Sequence, residues 1–113
     1  MGNQKLTIVV PVYNEERTIT NILDKINEVT LIHGITKEII CVNDCSKDKS
    51  KDIILAYIAQ HPDRGIVLFN HEVNQGKDAA LHTGISQATG DWVVVQDADL
   101  EYDPHEWNLL LKP

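Results

Sequence analysis

Short apolar runs alternate with amphipathic stretches along the chain. Leu6 to Val12 reads Leu-Thr-Ile-Val-Val-Pro-Val, a β-branched run that predicts a strand. Pro11 falls near its end, where a ladder N–H can be spared. Asn14 is a candidate helix cap with Glu15 and Glu16 in the first turn. Ile19, Ile22, Leu23, Ile26 and Val29 follow at helical spacing, and His33-Gly34 stops that helix. Glu38 to Val42 predicts a second strand, followed by the turn Asn43-Asp44-Cys45-Ser46. A second helix takes in Ile53, Ile54, Ala56, Tyr57 and Ile58 and ends before Pro62. A third strand is expected from Gly65 to Asn70. Asn74-Gln75-Gly76-Lys77 opens a third helix with Ala79, Ala80, Leu81 and Ile85 inward, ended by Gly90. Trp92 to Val95 is a fourth strand, and a last helical segment starts near Pro104.

Strands and helices therefore alternate strictly. Continuous apolar strands joined by amphipathic helices imply an α/β fold: a Rossmann-like parallel sheet with helices on both faces and right-handed crossovers. In such sheets ligands bind beyond the carboxyl ends of the strands. Each strand end here carries polar groups: Tyr13-Asn14-Glu15, Asn43-Asp44, His71 through Asn74, and Asp97 with Asp99 and Glu101.

The chain has 113 residues, enough for one domain, and its 42% hydrophobic content fits an ordinary core. The net charge of −7 and the lack of a basic stripe argue against nucleic-acid binding. Two cysteines, Cys41 in an apolar run and Cys45 in the next turn, make neither a zinc set nor a disulfide framework. A reducing, cytoplasmic setting is expected. The chain shows no signal peptide and no apolar run of the ~18 residues needed to span a membrane.

The candidate chemistry centres on Gln96-Asp97-Ala98-Asp99-Leu100-Glu101. Carboxylates that converge at the rim of a sheet repel each other unless a cation joins them, and oxygen-only ligands suit Mg²⁺ or Mn²⁺. A solvated acidic turn, with Asp103 capping a helix before Pro104, is the alternative for this motif taken alone. The first strand–helix turn, Pro11-Val12-Tyr13-Asn14-Glu15-Glu16, has no glycine, which excludes a dinucleotide fingerprint. Gly76-Lys77 lacks the first glycine and the Ser/Thr of a Walker loop. A receiver-like signalling domain also has an acidic Mg²⁺ pocket, but its acids cluster after the first and third strands. Here the third strand runs into Asn70-His71-Glu72. The five histidines lie on different elements and make no ligand pair; Asp48 and Asp91 suit caps or turns, and Trp92 and Trp107 suit packing.

Four motifs carry a resemblance: Val9-Val10-Pro11-Val12-Tyr13-Asn14-Glu15-Glu16; Val42-Asn43-Asp44-Cys45-Ser46-Lys47-Asp48; Asn74-Gln75-Gly76-Lys77-Asp78-Ala79-Ala80-Leu81; and Gly90-Asp91-Trp92 with Gln96-Asp97-Ala98-Asp99-Leu100. In this order and spacing they resemble the family-2 glycosyltransferases of GT-A fold. Gln-Asp-Ala-Asp-Leu-Glu-Tyr-Asp-Pro is most similar to the dolichyl- and polyprenyl-phosphate sugar transferases. The resemblance implies inverting transfer of a sugar from a nucleoside diphosphate sugar, with a polyprenyl (lipid) phosphate as the subfamily's acceptor. It implies that Pro11, Tyr13 and Glu15 line the nucleotide pocket, with Tyr13 on or beside the base and Asp44 accepting from the base's ring N–H. Asp97 and Asp99 form the D-x-D that holds ribose and metal, Mg²⁺ or Mn²⁺, and Glu101 is a candidate third ligand. A metal reconciles an acidic pocket with a diphosphate and stabilises it as a leaving group. Lys77, at a helix N-terminus, is placed to assist that diphosphate or is a solvated lysine.

Three positions depart from the family. Cys45 replaces a turn glycine (or asparagine), at a cost of about 1 kcal/mol if φ is positive there. Asp78 and His82 stand where the family often has Gly and Arg, which weakens the positive potential near the diphosphate. Family members also continue well beyond this length, into the acceptor site and often the general base. Residues 1–113 are thus expected to be a nucleotide-sugar-binding portion that holds donor without full activity, in a parent that is membrane-associated on its cytoplasmic face. A non-catalytic nucleotide-binding module is the alternative. The fourth strand would lack neighbours in such a portion, so self-association through its exposed edge is expected.

Overall fold

The alternation is present in the computed structural model, which describes residues 4–29 and 34–97. The elements are β1 (Lys5–Val12), α1 (Ile19–Glu28), β2 (Thr36–Asn43), α2 (Ser50–Gln60), β3 (Ile66–Asn70), α3 (Lys77–Gln87) and β4 (Trp92–Val95). The strands form one sheet in the order β3-β2-β1-β4, with every pair parallel. β2 begins at Thr36, earlier than expected, because its first residues pair with Lys5 and Leu6 although their side chains are not core. The expected last helix from Pro104 lies outside the described residues.

The two faces of the sheet carry two cores. Leu6, Ile8, Val10 and Val12 join Ile39 and Cys41 of β2 under α1 and α2, where Ile19, Ile22, Leu23, Ile26, Ile54 and Tyr57 are buried. On the other face, Ile40 and Val42 pack with Ala80 of α3. Helices therefore cover both faces, as a parallel sheet of continuous apolar strands requires. Burial pushes the Cys41 thiol up to about 12, so it behaves as a small apolar side chain.

Several local expectations give way to tertiary contacts. Asn14 does not cap α1. It adopts a positive φ of 54°, and its Oδ1 accepts from Lys47 N–H at 2.7 Å. The chain turns first, with Glu15 C=O accepting from Thr18 and Ile19 N–H, so Glu15 and Glu16 precede the helix. In α3 the buried residues are Ala80 and Gly84, while Ile85 is 51% exposed. Ala56 of α2 is also exposed. Close approach decides α3: a Cβ at Gly84 would run into the Val9 side chain, so the smallest residues face the sheet.

Polar groups fasten the amino end of the sheet. Glu38 Oε1 accepts from the Thr7 hydroxyl (2.6 Å) and Thr89 N–H (2.9 Å), and Oε2 accepts from the Thr89 hydroxyl (2.6 Å). Burial works to raise the Glu38 carboxyl's pKa, but these donors bring it below its ordinary value. Asp91, a turn residue as expected, accepts from Lys5 N–H at 2.9 Å. Lys37 Nζ donates to the carbonyls of Ile26, Asn27 and Val29 at 2.7, 2.9 and 2.6 Å. One ammonium thus closes the α1 C-terminus, whose last carbonyls have no partner within the helix.

Gly84 tests the packing of α3. In an exposed helix, Gly→Ala would add about 1 kcal/mol of stability. Here the methyl meets a buried β-branched side chain in an inner strand, and overpacking of that kind costs about 1–3 kcal/mol. Gly84→Ala is expected to lower the urea unfolding midpoint; an equal or higher midpoint would show that α3 can move off the sheet.

Candidate functional site

The register brings three strand ends level. Val12 pairs with Asn43, and Asn43 with Asn70. Their loops leave from one edge, and β4 delivers Gln96 and Asp97 beside β1, with Gln96 N–H donating to Val9 C=O at 3.0 Å. Between these loops lies an open cleft of about 370 Å³. β1 and its loop supply Pro11, Val12, Tyr13 and Glu15; β2 supplies Asp44; the segment entering α3 supplies Asn74, Gly76, Lys77 and Ala80; and β4 supplies Asp97. Pro11, Tyr13, Glu15, Asp44, Lys77 and Asp97, singled out from the sequence, all line this one cleft. Asp99 and Glu101 lie outside the described residues.

The first two loops hold each other in place. Ser46 and Ser50 hydroxyls accept from the N–H groups of Asn14 and Glu15 (3.0 and 2.9 Å), and Asp48 accepts from Glu16 N–H (3.1 Å). Asp48 also accepts from Ser50 N–H (2.9 Å), so it serves as a turn residue ahead of α2, whose N-cap position is Lys49. Burial would raise the Asp48 carboxyl's pKa, yet the donors from Ser50 and Glu16 leave it lowered. Cys45 has a φ of 59°, the strained conformation expected at that turn.

Asp44 is the anchor of the cleft wall. Its side chain is 5% exposed. Oδ1 accepts from Gln75 N–H and faces His71 Nδ1, both at 2.8 Å, and Oδ2 accepts from Gly76 N–H at 2.8 Å. Gly76 takes a φ of 95°, open to glycine at little cost. Burial favours the neutral acid, but the bonds from Gln75, His71 and Gly76 favour the carboxylate more, and its pKa is lowered. Asn74 Nδ2 adds a bond to Asp44 C=O at 3.2 Å. The β3–α3 loop is therefore folded around one ionised carboxylate.

Across the cleft, Lys77 Nζ pairs with Asp97 Oδ1 at 2.7 Å; the lysine is 58% exposed and the aspartate 17%. Among the described residues no group of three or more His, Cys, Asp or Glu could hold a metal ion. Asp97 fits a hard divalent cation in kind, as an oxygen donor facing the cleft, and a cationic side chain already sits against it. Asn74 lines the cleft and His71 lies behind it against Asp44; neither is assigned a role by the sequence. His71 is 27 residues from Asp44 in sequence, so no local spacing reveals the contact.

Residues 7–113 match the family model described as Glycosyl transferase family 2. An uncharacterized glycosyltransferase of Synechocystis sp. is 45% identical over 90% of this chain and 31% of its own length. A dolichyl-phosphate beta-glucosyltransferase of Trichomonas vaginalis is 39% identical over 83% of this chain and 30% of its own. A mannosyltransferase from Pyrobaculum calidifontis, solved with GDP-Man and Mn²⁺, superposes with a TM-score of 0.81 at 28% identity, over 99% of this chain and 34% of that one. Glucosyl-3-phosphoglycerate synthase from Mycobacterium tuberculosis, solved with UDP, gives a TM-score of 0.72 at 26% identity, over 97% of this chain and 39% of that one. The chain spans less than a third of the length of these curated relatives.

The lowered pKa of Asp44 fixes the sign of a pH effect. The unfolded chain takes up the proton first, so the stabilisation is complete above the unfolded value and is lost as pH falls through the lower folded one. Asp44→Asn is expected to cost about 1–3 kcal/mol at pH 7, because a buried N–H loses its acceptor. In urea titrations the gap to the parent chain should narrow below about pH 4; a gap independent of pH would contradict an ionised Asp44.

Proposed function

The chain belongs to glycosyl transferase family 2, with a GT-A fold, and on that premise we propose that it is the donor-binding part of an inverting sugar transferase. The donor is a nucleoside diphosphate sugar, and the acceptor, reached by the parent protein, is a polyprenyl phosphate. The convergence of Pro11, Tyr13, Glu15, Asp44, Lys77 and Asp97 on one cleft at the carboxyl edge of the sheet carries this reading. The neighbours solved with GDP-Man and with UDP support the ligand class. The dolichyl-phosphate relative supports the acceptor class.

In this reading Tyr13, 41% exposed at the cleft, packs on or beside the base with Pro11. Asp44 accepts from the base's ring N–H, and Glu15 lines the same pocket. Lys77, now paired with Asp97, turns its ammonium to the diphosphate when donor binds. Asp97 and Asp99, with Glu101 as a third oxygen ligand, hold Mg²⁺ or Mn²⁺ and the ribose. When bound there, such an ion would supply charge neutralisation for the nucleoside diphosphate leaving group. No general base is assigned within residues 1–113, so this stretch binds donor without completing transfer.

Among the described residues no helix is long and apolar enough to cross a membrane. A lipid-phosphate acceptor supports association of the parent with a membrane, on its cytoplasmic face in this reading. β4 pairs only with β1 among the described residues and leaves Trp92, Val93 and Val95 38–40% exposed. That apolar edge makes the chain self-associate.

UDP, GDP and dTDP titrated calorimetrically should bind in the presence of Mn²⁺ and far more weakly in chelator, with one base preferred. Asp99→Ala should abolish the metal effect. Metal-independent binding that survives this substitution would sink the site. In sedimentation at rising concentration the chain should pass from monomer to dimer, and Val93→Lys should suppress the change; a monomer throughout would remove the edge contact.

A further inference from the structure

The His71 ring sits behind the cleft with its side chain 8% exposed. Nδ1 lies 2.8 Å from Asp44 Oδ1, and Nε2 lies 2.8 Å from Thr83 Oγ1. The backbone N–H of His71 donates to Asn43 C=O at 2.9 Å, which fixes the residue at the end of β3. An ionised carboxylate only accepts, so Nδ1 carries a proton. Nε2 meets a hydroxyl that can either donate or accept. The order Asp44, His71, Thr83 has the connectivity of a hydrolase relay, but Thr83 is inside α3 and does not line the cleft. The relay therefore has its working end at Asp44.

We propose that His71 is a positioning residue that aims the Asp44 carboxylate at the nucleobase and so favours bases with a ring N–H. This rests on reading the cleft as a nucleotide pocket. Among the described residues Oδ1 takes two donors, His71 and Gln75, while Oδ2 takes one, Gly76. A carboxylate oxygen offers about two lone-pair directions. Oδ1 is thus filled, and Oδ2 keeps one direction for a donor from the cleft that Asp44 lines. Without the imidazole, Oδ1 would have a vacant direction and compete for the same donor, with only the Gln75 and Gly76 N–H groups left to orient the carboxylate. Uracil, thymine and guanine present a ring N–H to such an acceptor. Adenine and cytosine present a lone pair at the equivalent ring nitrogen, which repels it.

The test compares UDP or GDP, whichever binds better, with ADP in the presence of Mn²⁺. ADP shares the ribose and diphosphate, so the ratio of affinities isolates the base. His71→Phe, which keeps a ring and loses both nitrogens, should reduce that ratio about tenfold, the size of one lost oriented hydrogen bond. ADP affinity should stay constant. His71→Gln, whose amide can donate to Oδ1, should recover part of the ratio. Should His71→Phe not fold in a thermal melt, Thr83→Val is read in its place and should shift the ratio less, in the same direction. Equal losses for both nucleotides, or an unchanged ratio in folded variants, overturns the positioning role and leaves the donor site standing. Failure of the parent chain to bind UDP or GDP at all overturns both.

Discussion

Asp44 sits at the end of β2 with its carboxylate turned inward, and the N–H groups of Gln75 and Gly76 and the ring of His71 close on it. A buried charge of this kind is tolerable only when its donors are fixed. The loop before α3 is therefore held to one conformation. That loop sets the start of α3, and with it the positions of Lys77 and Ala80 in the cleft. This wall of the cleft rests on that carboxylate together with the packing of Ala80 on Ile40 and Val42.

The two ends of the sheet solve different problems. At the amino end, Glu38 gathers Thr7 and Thr89, and Asp91 takes the Lys5 N–H, so the turn into β4 is fixed by bonds within the protein. At the carboxyl end the loops bind one another through Ser46, Ser50 and Asp48, while Tyr13, Lys77 and Asp97 remain accessible. Backbone groups there are satisfied locally, which leaves side chains available to a ligand. The strained φ of Cys45 lies in this rim, where departures from low-energy backbone are concentrated.

Much of the site could be read from residue order. Parallel strands of known register bring their ends together, so polar residues that follow each strand must converge. That rule points to Tyr13, Glu15, Asp44 and Asp97, and the family resemblance adds Pro11 and the pocket roles. His71 gains no role from either, since its partners Asp44 and Thr83 lie on two other segments. Asn14 carried a helix-cap pattern, yet the neighbouring loop offered its side chain the Lys47 N–H instead.

The sequence by itself determined the alternation of strands and helices, the family and the edge on which a ligand would sit. Those features follow from period, β-branching and the order of motifs, which act within a few residues. Ala80 faces inward as the sequence indicates, but only the tertiary structure decided that Gly84 and not Ile85 joins it, because α3 approaches Val9 closely there. It also decided that Asp44 is a loop anchor as well as a cleft residue, and that Lys37 closes α1. Each of these is a contact between segments far apart in the chain, set by packing distance and donor geometry that no local pattern encodes.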